Sequence, residues 1–327
     1  MTLCLILTGY VSDGLAQTVQ ELEPYAQQIP GTGVEIEMVP VEGGTFMMGS
    51  DPGDPGYSDN EGPSREVAVG SFWMGKYEIS WEQYELFSDY IRAELEADMA
   101  AAEGDVELSA DAISIPTPPY VDMSFGMGKT GFPAISMTNY AAAMYTRWLT
   151  AMTGVFHRLP TEAEWEYACR GGTETPWYFG EDASDIDDHA VYADNANRRY
   201  GAIGSKEPNP LGLHDMAGNV AEWTLDQYYE DYHERLEGEP ADNPWFQPET
   251  LYPRTVRGGS WQDGAEEQRC AMRRGSEARW KQLDPQMPKS LWWHTSAPFI
   301  GFRVVRPLEQ PSEEEMEQYW IEAMQDY

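Results

Sequence analysis

The sequence predicts an α+β fold, irregular and rich in loops, and three observations carry that prediction. Short strand-like runs alternate with helices that open on recognisable caps. Glycine supplies 30 residues and proline 23, enough punctuation to keep regular elements short. Against that, 13% of the chain is aromatic, with 12 Trp, 19 Tyr and 10 Phe, so large side chains can pin a loop-rich core. A length of 327 residues by itself leaves one large domain or two open.

Residues 1–17, MTLCLILTGYVSDGLAQ, join a short apolar run to Gly-Leu-Ala-Gln, which resembles the cleavage site of a secretory leader although no basic residues precede it. They read as a signal or leader, and the protein as exported, periplasmic or extracellular. Cys4 stands too close to the start for a complete lipobox. Residues 18–33 read as a linker. Val34 to Val41 alternates as a first strand, and Gly43-Gly44 turns it. The Gly-, Pro- and Asp-rich stretch Asp51 to Pro63 is a surface loop, because Gly53 and Pro55 stand where an EF-hand needs oxygen ligands.

Val67 to Tyr77 reads as another strand. Ser80 and Gln83 then form a capping box, followed by Tyr84, Phe87, Ile91 and Leu95 at helical spacing. Residues 99–132 form an insertion in which Pro116, Pro118 and Pro119 exclude a helix, and Met123, Phe125 and Met127 pack under a long loop. A helix from Thr138 to Gly154 buries Met144, Tyr145, Trp148, Leu149 and Met152. A third opens on the Thr161–Glu164 capping box with Trp165, Ala168 and Cys169 inward. Two strand-like runs, Thr255 to Arg257 and Phe302 to Val305, flank a polar excursion. In the acidic tail 308–327, Ser312 and Glu315 cap a helix that carries Met316, Tyr319, Trp320 and Ala323 on one side.

The composition excludes several functions. A formal charge of -35, from 56 acidic against 21 basic residues, disfavours nucleic acid and anionic membrane surfaces as partners. No stretch reaches the length of a membrane span. Ser260 follows two glycines, but a nucleophile elbow needs Gly where Gln262 stands. His157, His189, His214, His233 and His294 match no zinc or non-haem iron spacing.

Five motifs in order then carry a resemblance: GGTFMMGS (Gly43 to Ser50), WMGKY (Trp73 to Tyr77), RLPTEAEWEYACRGG (Arg158 to Gly172), NPLGLHDMAGNVAEWT (Asn209 to Thr224), and the C-terminal set RGGSW, RCAMR around Cys270 and GFRVV. Together they resemble the formylglycine-generating enzyme, or sulfatase-modifying factor, family. The resemblance implies one irregular mixed domain of the C-type-lectin kind over residues 34–307.

It further implies a structural disulfide between Cys169 and Cys270. It implies a structural calcium ion held by the carbonyls of Gly218 and Val220 and the carboxylate of Glu222, with Asn195 a weaker match to a second site. The copper-dependent members use two cysteines after the GGS motif. Their places fall at Asp263 and near Gln268, and oxygen ligands do not replace thiolates around Cu(I), so copper-dependent formylglycine generation is not expected.

The concave surface of the family lies at the C-terminal excursion. That makes Trp261, Trp280, Trp292, Trp293 and His294 candidates for binding a protein or glycan, although several of these tryptophans must serve the core. Three functions follow in order: a non-catalytic recognition module, an enzyme with Ser260, Asp263 and Arg273 as its polar groups, and a structural or assembly component.

Overall fold

A computed structural model describes residues 22–89 and 122–320. Three small sheets share the strands. The first has the order β1 (Tyr25–Gln28), β2 (Glu35–Val41), β5 (Phe72–Gly75), β11 (Val305–Pro307), all antiparallel, so the N-terminal β2 and the C-terminal β11 flank the same strand, β5. The second runs β10 (Ile300–Gly301), β6 (Ala221–Gln227), β8 (Arg254–Arg257), β9 (Arg273–Gly275). The third joins β3 (Gly44–Met48) to β4 (Arg65–Val69) and β7 (Ala241–Asp242).

Several elements follow the sequence directly. In β2, Ile36, Met38 and Val41 are buried while Glu35 and Glu37 are exposed, the alternation a half-buried strand requires. Ser80 and Gln83 exchange their capping hydrogen bonds at the start of α1, described over residues 81–89, which buries Tyr84 and Phe87. Ile91 and Leu95 lie outside the described residues, as does the proline-rich part of the insertion. Helix α2 (Asn139–Thr153) starts on the Thr138 side chain and stops at Gly154, burying Tyr145, Trp148 and Leu149. Helix α3 (Glu162–Arg170) has its full Thr161–Glu164 capping box, worth about 1 kcal/mol.

Other expectations are corrected. Tyr25–Gln28, inside the expected linker, pairs with β2 as an edge strand. The run Val67 to Tyr77 is two strands in different sheets; the chain turns at Gly70, whose N–H donates to Asn243 Oδ1 at 2.7 Å, because the fully buried Phe72–Gly75 serves another layer. Of the run Phe302 to Val305 only Val305 lies in a strand, β11, while the carbonyls of Phe302 and Val304 accept from the N–H groups of Ile79 and Gly75. The acidic loop 51–63 is not wholly surface: Glu61 is buried and takes Arg269 at both carboxylate oxygens. In the insertion, Met123 packs in the core but Phe125 is exposed.

The tail closes onto the domain. Ser312 and Glu315 form their capping box, but the helix covers only Glu313–Glu317. Tyr319 stacks on Trp245 at 4.6 Å and Trp320 meets Phe156 at 5.7 Å, while Arg147 pairs with Glu317. Cys169, at the end of α3, is bonded to Cys270 in the C-terminal excursion, with Cα atoms 5.7 Å apart.

Candidate functional site

The excursion after β8 begins with two close backbone approaches. Gly258 has φ 93°, and a Cβ there would stand 2.9 Å from the Trp165 ring. Gly259 has φ 64°, and its Cβ would meet Gln268 Oε1 at 2.4 Å. Only glycine fits both places. The turn delivers Ser260 into the interior, where its hydroxyl donates to Asp263 Oδ2 at 2.5 Å. Asp263 Oδ1 in turn accepts from Arg274 at 3.2 Å. Gln268 is buried beneath, its Nε2 donating to the carbonyls of Ser260, Asp263 and Gly264 at 3.2, 3.3 and 3.0 Å.

Asp263 and Gln268 thus bind the loop to itself. Ser260 has a carboxylate as its acceptor and no histidine among its hydrogen-bond partners, so the triad arrangement that activates a serine is not built. Arg273 is not a member of the group. It is buried elsewhere, both its Nε and Nη2 donating to Glu162 at 2.5 and 2.9 Å, and Arg274 takes the place expected for it.

Arg273 belongs to a buried ion network absent from the sequence reading. Arg257 donates to Glu166 at 2.6 Å and pairs with Glu162 at 3.2 Å, while Arg170 holds Glu166 at 2.8 Å. Burial pushes Glu166 up, but Arg170 and then Arg257 outweigh it and hold the carboxyl at about 2. Asp226, whose two oxygens accept the N–H groups of Glu162 and Phe246, is pushed up to about 8 by burial and then by Glu162.

The aromatic candidates separate by burial. Trp280 is core, packed on Trp223, His294 and Phe299 at 5.7, 5.6 and 5.3 Å. Trp261 is nearly buried and donates its indole N–H to the Pro298 carbonyl at 3.2 Å. Trp292 and Trp293 are half-buried; Trp292 lies on Phe87 and Tyr140, and Trp293 on Trp81 and Tyr84. Trp280 fills core space beside Trp223 and Phe299, whereas Trp292 and Trp293 keep part of their rings exposed where they lie against α1 and α2.

A small cleft, with about 20 Å3 of room for a water-sized molecule, is lined by His294 together with Asn139, Tyr252, Arg254, Ser276 and Lys281. The antiparallel pairing of β8 with β9 and the bond from Arg254 N–H to Ser276 Oγ at 2.8 Å place two of these side by side. The cap of α2 supplies Asn139, whose Nδ2 donates to the Thr224 carbonyl at 2.9 Å. His294 is held by its N–H on Ser136 O at 2.7 Å. Burial and then the charge of Lys281 push its imidazole far below the usual value, so it is neutral. Sequence reasoning missed Arg254 and Lys281. A signal existed: ten of the 21 basic residues of this acidic chain lie between Arg254 and Arg306.

Of the residues named for calcium, Glu222 already has a cation as its partner. Both oxygens of Glu222 accept from Arg303, at 2.6 to 2.9 Å, and Oε2 also accepts the Trp165 indole N–H at 2.8 Å. A guanidinium occupies the direction a cation would take. The Val220 N–H donates to Glu78 at 3.0 Å, a bond that leaves its carbonyl oxygen uninvolved. Gly218 follows the chain turn beside Val191, its N–H on the Gly258 carbonyl. Asn195 stands in another loop, where Oδ1 accepts the Tyr192 N–H and Nδ2 donates to Asp187 and Ala190. Among the described residues, no group of three or more His, Cys, Asp or Glu is arranged to hold a metal ion.

Comparison with known proteins agrees with the fold. The chain is 31% identical over 242 residues to the serine/threonine-protein kinase pkn1 of Chlamydia pneumoniae, covering 72% of this chain but 35% of that protein. It therefore spans about a third of the length of that kinase. It is 28% identical over 261 residues to the formylglycine-generating enzyme of Bos taurus, covering 69% of this chain and 66% of the relative. The solved structure of PvdO from Pseudomonas aeruginosa superposes with a TM-score of 0.61 at 26% identity, over 88% of this chain and 99% of that one. The sulfatase-modifying factor enzyme 1-like domain matches residues 26–308, and with that span of the sequence, the shared fold and the ordered motifs, the chain belongs to that family.

Proposed function

We propose that the protein is an exported, non-catalytic member of the family that recognises a protein or glycan partner through its C-terminal loops. The observation that carries the reading is the hydrogen bonding of the residues at the family's copper positions. Asp263 and Gln268 are not merely unsuited to Cu(I); both Asp263 carboxylate oxygens accept, from Ser260 and from Arg274, and Gln268 Nε2 donates to three loop carbonyls. A loop bound to itself is a rigid platform for neighbouring side chains. The bridged Cys169 and Cys270 support an oxidising compartment. The enzyme alternative loses Arg273, which is sealed against Glu162.

Two assays on the folded chain test the reading. Incubation of a cysteine-containing sulfatase-motif peptide with the protein and Cu(I) is expected to give no oxidation, and turnover like that of cysteine-bearing relatives overturns the non-catalytic half. Glycan and peptide arrays are expected to return a restricted set of ligands lost on Tyr252→Ala. An empty array, or one unchanged by that substitution, overturns the assignment of recognition to these loops.

A further inference from the structure

We propose that His233 is an acid-sensitive latch: protonation of its imidazole releases the short helix Tyr232–Arg235 from α3 and from the loop that follows β3, uncovering the aromatic rings packed behind it. The inference lies outside the C-terminal loops and does not rest on the recognition reading.

The ring is enclosed by backbone. His233 is 0% exposed, and neither of its ring nitrogens has a hydrogen-bond partner among the described residues. Its Cε1 faces Gly49, where a Cβ would stand 2.6 Å away. Gly49 is itself fixed to α3, its N–H donating to Glu166 and its carbonyl accepting from Arg170, each at 2.8 Å. From β4, Arg65 donates to the carbonyls of His233, Leu236 and Gly238 at 3.2 to 3.4 Å and holds the helix closed. The neighbouring Tyr232 is fully buried, its ring 5.0 Å from that of Phe246. It belongs to a small core cluster with Met48, Val67 and Leu236, separate from the main one, so this corner can open while the rest stays folded.

The charges around the ring cancel. Glu166 and Glu162 face it from α3 and favour an imidazolium, while Arg273 from β9 and Arg257 from β8 oppose one. Glu61, in the loop after β3, is closed off by Arg269, and Asp51 stands at that loop's exposed side. On the helix itself Glu234 and Arg235 are exposed. Burial therefore decides, and it lowers the imidazole from 6.5 to about 4.

Opening restores the ordinary value, so it takes up a proton. The penalty on the closed state is absent above 6.5, grows as pH falls, and is full below about 4. The nearby carboxylates do not imitate this. Glu166, at about 2, stays ionised through that window, and Asp226, raised to about 8, stabilises the fold as pH falls. His157, also lowered to about 4, has the same sign but lies between α2 and α3, so a local measurement is required.

Hydrogen-exchange mass spectrometry of the intact chain, with the disulfide kept and rates normalised to intrinsic exchange at each pH, reads the opening of residues 232–236 against β2 as reference. Between about pH 7.5 and about pH 5 the opening equilibrium of 232–236 is expected to rise by about tenfold to thirtyfold, the size set by the shift from 6.5 to about 4, with β2 rising far less. His233→Phe, which keeps a ring and cannot titrate, is expected to flatten the rise. No rise in 232–236, an equal rise in β2, or an unchanged rise in a folded His233→Phe protein each overturns the proposal. If His233→Phe does not fold, His233→Gln carries the same comparison, and the profile of the unaltered chain still decides by itself.

Discussion

Arg257→Met examines the buried network that fastens α3 to β8. The substitution keeps the length and apolar stem of the side chain and removes only the guanidinium. Four contacts go with it: the pairs to Glu166 and Glu162 at 2.6 and 3.2 Å, and the hydrogen bonds to the carbonyls of Cys270 and Met272, each 3.0 Å. Breaking a buried pair from one side costs about 3–5 kcal/mol when the partner is stranded. Here neither acid is wholly stranded, since Glu166 keeps Arg170 and the Gly49 N–H, and Glu162 keeps Arg273. The two carbonyls, by contrast, lose a charged donor, at roughly 1–3 kcal/mol each. The sum returns to about 3–5 kcal/mol, a large share of the roughly 5–15 kcal/mol available to a domain.

The same substitution alters the acid limb. Glu166 sits at about 2 against an ordinary 4.5, so its stabilisation is present above 4.5 and lost as pH falls through that window. With Arg257 gone its value rises, and that part of the acid loss disappears. The assay is denaturant unfolding at pH 7 and at steps down to acid, with the disulfide intact. Adding Glu166→Gln to Arg257→Met is expected to recover part of the loss, because it removes the under-compensated charge. A single variant within about 1 kcal/mol of the parent, with the same acid profile, would falsify the reasoning.

The Cys169–Cys270 bond spans 101 residues, so replacing both by Ala is expected to cost about 4.7 kcal/mol in the chain-entropy account, read as a shift in denaturant midpoint; no shift sinks the structural role. Asp226 is raised from 3.8 to about 8, so its contribution is full below 3.8 and is lost as pH climbs to 8. Asp226→Asn, although it gives up one backbone N–H contact, should flatten that part of the stability profile, and an unchanged slope between those limits rejects the shift. Glu222→Gln is expected to destabilise by about 3–5 kcal/mol equally with calcium or with chelator, since Arg303 is its partner; an effect seen only with calcium restores the ion.

Local pattern accounts for the elements that could be read beforehand. Thr161 with Glu164, Ser80 with Gln83 and Ser312 with Glu315 are signals contained within four residues, and each capping box forms. Strand runs were less faithful, because a run has no marker for the sheet it joins. Val67 to Tyr77 looks continuous, and only the competing demands of two sheets divide it at Gly70.

The site divides in the same way. The ordered motifs, the two cysteines of the bridge and the non-thiol residues at 263 and 268 were determined by the sequence alone, because identity at those positions already limits the chemistry. Partners were not. That Arg273 faces Glu162 while Arg274 faces Asp263, that Glu222 meets Arg303 from 81 residues away, and that Trp280 is core while His294 lines a cleft with Lys281, were all decided by the tertiary structure. Charge and ring type are properties of a residue, but pairing and burial are properties of the space around it, and in this chain that space is built by strands and loops distant in sequence.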